Sequence, residues 1–196
     1  FNPVHLALGH EGVSEIINNC INLKDELILT HRNIAFNLAR ERNLKRIISE
    51  LKYKKEGISL GKMGSMNMIN KKKNINYSSS ILGNNFSVGL GVSLANSKLT
   101  NKSSLTVIVT GDGAIEEGSF YETLILGNLL EVPLVILVIN DNFAMASKIL
   151  QRRKLINLKK IADSMGLRYL NLNQSHVLKK IKNIEAILLH SKKKNK

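Results

Sequence analysis

Residues 105–147 read LTVIVTGDGAIEEGSFYETLILGNLLEVPLVILVINDNFAMAS. Two runs in it, 105–111 and 133–140, are apolar at consecutive positions rather than at alternate ones, as in strands covered on both faces. The intervening residues 116–130 have the length and composition of a helix. Strands that alternate with helices in this way build a parallel sheet covered on both sides, in which ligands gather at the carboxyl ends of the strands. Both runs end in polar residues, Gly111-Asp112-Gly113 after the first and Asn140-Asp141-Asn142 after the second. A lone Gly-Asp-Gly is more often a turn with an Asp helix cap. Here a second strand end follows one strand–helix–strand unit downstream, which places two sets of oxygen donors at one sheet edge. Oxygen donors suit a hard cation such as Mg²⁺ that shares its other ligands with phosphate and water. Gly111 and Gly113 allow close backbone approach, and the following helix start offers amides to an anion.

Outward from this unit, residues 11–23 put Val13, Ile16, Ile17, Cys20 and Ile21 on one helical face, and 25–33 read as a strand or turn ending in a charged pair. Leu44, Ile47, Ile48 and Leu51 mark a second helix that stops at Gly57. Residues 57–80, rich in Gly, Ser, Asn and Lys, read as a long loop of the kind that is often functional. The small residues Ser87, Gly89, Gly91, Ser93 and Ala95 suit a closely packed helix. Towards the C-terminus, 157–166 read as a helix, followed by a strand (167–172), a helix (175–183) and a strand (185–191). The fold class expected is α/β, a parallel sheet with helices on both faces. One domain, 1–196, accounts for the whole chain.

The composition, 43% hydrophobic and 22% charged, is that of an ordinary globular protein, and no apolar run reaches the roughly 18 residues of a membrane span. Cys20 is the single cysteine; it excludes an internal disulfide and fits core packing in a reducing compartment. A net charge of +14 raises the question of nucleic acid. The lysines are dispersed, however, and their densest runs, 70–74 and 191–196, fall in a loop and a tail, so a solvated surface is the better reading. The chain opens on Phe1 without a recognisable leader, so its true start is hidden.

The segments GDGA…EEGSFYETL…PLVILVINDNFAMAS, with GHEG (9–12), DELILTHRN (25–33), GKMGSMNM (61–68) and SSSILGNNFSVGLGVSLA (78–95), together resemble the α subunits of the thiamine diphosphate-dependent, pyruvate dehydrogenase-type 2-oxo acid dehydrogenases. The likeness runs over nearly the whole chain and implies the thiamine diphosphate-binding fold, with thiamine diphosphate and Mg²⁺ as cofactors. It makes Asp112 a metal ligand and gives Gly113 and Ala114 to the diphosphate through their amides. The second ligand is Asp141, which an ungapped count favours, or Asn142 if the strand holds one extra residue; Phe143 supplies a carbonyl. His31 and Arg32 fall where the family grips the diphosphate, a role that suits a guanidinium. Ser80 and Leu82 fall where backbone holds the aminopyrimidine, with Leu82 either the apolar wedge beneath the cofactor or plain core.

The implied reaction is decarboxylation of a small 2-oxo acid with transfer of the acyl unit, the cofactor carrying the chemistry. The glutamate that activates the cofactor comes from a β-type subunit, so no catalytic residue is assigned to this chain. An α₂β₂ assembly and an acyl-carrier or lipoyl component are the implied partners, in the cytoplasm or, behind a leader, in an organellar matrix. Three departures stand out. Ile34 and Asn67 replace family histidines, and His190-Ser191 only faintly match a closing loop that lies in the family's further C-terminal region. The alternatives are a transketolase-like or deoxyxylulose phosphate synthase-like half, towards which Asn140-Asp141-Asn142 leans, and a basic non-catalytic binding protein.

Overall fold

The computed structural model describes residues 4–99, 104–172 and 177–193. Its centre is a four-stranded sheet of β1 (Glu26–Thr30), β2 (Ile75–Ser79), β3 (Thr106–Gly111) and β4 (Leu134–Ile139). The strands lie in the order β2-β1-β3-β4 and every pair is parallel. All four carboxyl ends therefore meet at one edge, as the reading of 105–147 requires. The long loop expected over 57–80 is corrected in its last part: β2 lies there. Asn, Ser and Lys mask it in sequence, and its only fully buried apolar side chain is Ile75.

The central strands are buried on both faces, their side chains alternating between two layers. Leu27, Leu29, Val107 and Val109 face one layer, with Ile17 and Ile21 from α1 (Glu11–Cys20) and its C-cap, and Ile184 and Leu188 from α8 (Val177–Lys193). Ile28 and Ile108 face the other, against Phe86 of α4 (Asn84–Leu94) and Phe120 of α5 (Gly118–Leu129). The small residues expected on α4 do serve close packing: a side-chain carbon at Gly89 would overlap Ile108. Helix α2 (Ile34–Glu41) and helix α3 (Leu44–Leu51) complete the first half, Ile47 anchoring a satellite core with Ile58 and Met68 under the 57–70 loop. Cys20 packs beside the main core, and burial raises its thiol pKa, helped by Glu185.

The C-terminal expectation is corrected. The strand placed over 185–191 is part of α8, because Ile184 and Leu188 recur at helical spacing and bury one face. Residues 175 and 176 lie outside the described residues. Residues 167–172, expected as a strand, form no regular element and run beside β4 without pairing to it. A cavity of about 840 Å³ remains there, walled by β4, residues 166–172, α8 and α7 (Leu158–Ser164). None of the described helices is long and apolar enough to cross a membrane.

Candidate functional site

Each strand end delivers its residues to the same edge. Beyond β1, Thr30 leads into His31 and Arg32; the Arg32 guanidinium donates to the Leu6 carbonyl at 2.9 Å, and the His31 ring stands edge-on to His5 at 5.5 Å. Next to them Asn33 is fully buried, its amide donating to the carbonyls of Thr30, Ser65 and Met66 and to the Ser78 hydroxyl. This one side chain ties the β1 end to β2 and to the 57–70 loop. That loop in turn is gathered by Glu50 of α3. The fully buried carboxylate accepts from the backbone N–H groups of Ser59, Gly61, Met63 and Gly64 at 2.8–3.3 Å.

Beyond β2, Ser80, Ile81 and Leu82 are exposed, Leu82 to 50%. Leu82 is therefore no core residue, which leaves it available as an apolar support at the rim. Gly83 follows with φ of 79°, and its carbonyl accepts from the Ser119 hydroxyl at 3.0 Å, which fastens the starts of α4 and α5 together.

Beyond β3, Asp112 is 3% exposed and its N–H donates to the Ile139 carbonyl of β4 at 3.2 Å. Gly113 leads into a 3-10 turn, Ala114–Glu116, in which Ala114 is buried. A side-chain carbon at Gly113 would come within 2.9 Å of the Ala144 methyl, so the glycine is required by close approach. Ala144 belongs to a hairpin of β5 (Phe143–Ala144) and β6 (Ser147–Lys148), which runs into the short helix α6 (Ile149–Arg152). Before the hairpin, the Asp141 carboxylate accepts from the Phe143 N–H at 2.9 Å, and Asn142, with φ of 67°, lines the end of the β4 cavity with Asp112 and Asn140.

Electrostatics links these ends. Burial pushes the Asp112 carboxyl above its ordinary pKa, and the charge of Asp141 adds to the rise; a hydrogen bond and the positive charge from Arg152 oppose both. His10 is held below its ordinary value, first by burial and then by Arg32, while Asp141 pulls the other way. His31 is lowered by burial, Arg32 and His5. The charge of Asp141 is thus felt at Asp112, and those of Arg32 and Asp141 at His10. The structure brings His31, Arg32, Ser80, Leu82, Asp112, Gly113, Ala114, Asp141, Asn142 and Phe143 to one edge.

A hard cation between Asp112 and Asp141 fits this donor set, since two carboxylates and nearby carbonyls supply oxygen alone. The tight Gly113 turn and the Arg32 guanidinium fit an anion beside it. Sequence reading missed Asn33, Glu50 and Arg152. Asn33 and Glu50 act through backbone groups, which leave no residue-type signature. Arg152 lies 40 residues from its partner Asp112, at a separation no motif marks.

Residues 1–179 match the family model described as Dehydrogenase E1 component. The chain belongs to that family. It is 27% identical to the pyruvate dehydrogenase E1 component subunit alpha of Rhizobium meliloti, over 83% of this chain and 47% of the relative. The mitochondrial protein of the same name from Chaetomium thermophilum is 32% identical over 73% of this chain and 34% of its own length. That of Rickettsia bellii is 25% identical over 86% and 52%. The chain thus spans about half or less of the length of these relatives. A solved structure from Mycobacterium smegmatis, assigned as a thiamin diphosphate-dependent enzyme, superposes with a TM-score of 0.63 at 10% identity, covering 96% of this chain and 32% of that one. It shares the fold.

Proposed function

We propose that this chain is the metal- and diphosphate-holding α-type part of a thiamine diphosphate-dependent enzyme that decarboxylates a small 2-oxo acid. The observation that carries the reading is that Asp112, after β3, and Asp141, after β4, follow adjacent parallel strands to the same carboxyl edge, in a chain of the dehydrogenase E1 component family. Asp112 and Asp141 would hold Mg²⁺, with the Phe143 carbonyl as a third donor and Asn142 as the substitute for Asp141. Gly113 and Ala114 would present amides to the diphosphate, and Arg32, with His31 beside it, would neutralise it from the β1 end. Ser80 and Leu82 would support the ring system at the β2 end. Bound there, thiamine diphosphate supplies the nucleophilic carbon and the electron sink that decarboxylation needs. The chain's own residues bind, orient and neutralise.

A β-type partner fits the surface. Helix α5 leaves Ile125, Leu126 and Leu129 exposed, Leu129 to 74%, and a helix apolar on its outer side calls for a cover. We place the activating glutamate on that partner, the assembly as α₂β₂, and the described chain as one domain. The relatives named for pyruvate dehydrogenase favour this reading over a transketolase-like half.

Calorimetric titration of Mg²⁺ with thiamine diphosphate into the chain co-expressed with its partner tests it. Asp112→Ala is expected to abolish binding; binding unchanged by that substitution would refute the site.

A further inference from the structure

The Asp112 carboxylate is already engaged by a cation of the chain itself. Nη2 of Arg152 donates to Oδ2 of Asp112 at 2.8 Å, with the arginine side chain 15% exposed and the aspartate side chain 4%. The other guanidinium nitrogen, Nη1, contacts Glu116, and Nε is buried without a hydrogen-bond partner among the described residues. The two carboxylates are thus what holds this guanidinium in place. Arg153 also reaches Glu116, its Nε at 2.8 Å, but makes no ion pair with Asp112 among the described residues.

Arg152 ends a strap that starts at Asp141. The Asn142 carbonyl accepts from the Ile149 N–H at 3.1 Å, Phe143 pairs with Lys148 and Ala144 with Ser147, and the Lys148 N–H donates to the Gln151 side chain at 2.8 Å. The Ala144 methyl lies over Gly113, and Arg152 fastens the far end to Asp112. A small divalent cation needs a carboxylate oxygen at close range and in a fixed direction. A guanidinium on a buried carboxylate blocks that approach and repels the incoming charge.

We infer that Arg152 is an internal competitor for the cation at Asp112, so that a divalent metal binds there only by displacing the guanidinium, at the far end of the 141–152 strap, from that carboxylate. Glu116 retains Arg152 when Asp112 is taken, so the displaced side chain keeps a partner. The inference rests on the proposed metal role of Asp112 and adds a residue that sets how tightly the metal is held.

Mn²⁺ alone, titrated into the 196-residue chain and followed by electron paramagnetic resonance, separates the two ideas. Arg152→Gln is expected to tighten Asp112-dependent binding about tenfold, the order of one charge-assisted hydrogen bond. Arg153→Gln, which removes an equal charge one residue away, is expected to change it by no more than about twofold. Asp112→Asn is expected to remove it. If binding depends on Asp112 and Arg152→Gln leaves it equal or weaker, or Arg153→Gln tightens it as much, the competitor role is overturned while the metal site stands. If no protein shows Asp112-dependent binding, both fall. Should Arg152→Gln fail to fold, the ¹⁵N resonance of the wild-type Arg152 side chain decides. Saturating Mg²⁺ is expected to move it to the position of an unpaired or singly paired guanidinium, and a signal unmoved at saturation overturns the inference.

Discussion

Asp112 is a buried carboxyl whose pKa is raised, and this fixes two pH dependences of opposite use. The folded chain binds the Asp112 proton more tightly than the unfolded chain does. Stability from this group is therefore full at low pH and is lost as pH rises from the ordinary carboxylate value through the raised one. Asp112→Asn is expected to flatten that slope in urea denaturation measured across the acid range. Metal binding needs the ionised form, so Mg²⁺ affinity should fall on acidification at a higher pH than for an exposed aspartate; loss only at the ordinary value would contradict the burial argument. At Gly113 the constraint is space. Gly113→Ala pushes a carbon to within 2.9 Å of the Ala144 methyl, and overpacking of this kind costs about 1–3 kcal/mol. Urea denaturation should show that loss, with a weakening of Mg²⁺–diphosphate binding.

Among the elements, the 57–70 loop is tied to its surroundings by hydrogen bonds with Glu50, Asn33 and Asn37. Glu50 accepts four backbone N–H groups, and Asn33 then carries the loop's order to the β1 end beside Arg32. Glu50→Ala leaves those donors unpaired and should cost about 3 kcal/mol or more, read as a lowered midpoint in urea. How much was legible in the sequence differs by element for physical reasons. β3 and β4 stood out because a strand covered on both faces is apolar at every position. β2 was hidden because Asn76 is exposed and Tyr77 half-buried, while its buried Ser78 and Ser79 meet hydrogen-bonding partners rather than hydrocarbon. The 185–191 run misled because a short apolar stretch carries no period of its own; only Ile184 and Leu188 packing together reveal the helix. At the site, strand-end positions were readable, since topology fixes them. The partners Arg152, Asn33 and Glu50 were not, since tertiary contact alone selects them.

For the whole molecule, the proposed chemistry belongs to the sheet edge and the proposed contact surface to α5, on a chain that covers about half or less of its named relatives. Ile125→Asp with Leu129→Asp places charge on the exposed apolar face of α5 and touches none of the strand-end residues. Sedimentation velocity should show loss of association with the β-type partner while the far-ultraviolet circular dichroism of the chain is unchanged; a complex that survives would move the interface elsewhere. The most direct measurement is anomalous scattering from Mn²⁺ in crystals grown with thiamine diphosphate. One peak bonded to an Asp112 oxygen and an Asp141 oxygen, at roughly 2.0–2.3 Å, is the predicted result. A peak that leaves Asp112 unbonded, or no peak at the carboxyl edge of β3 and β4, would contradict it.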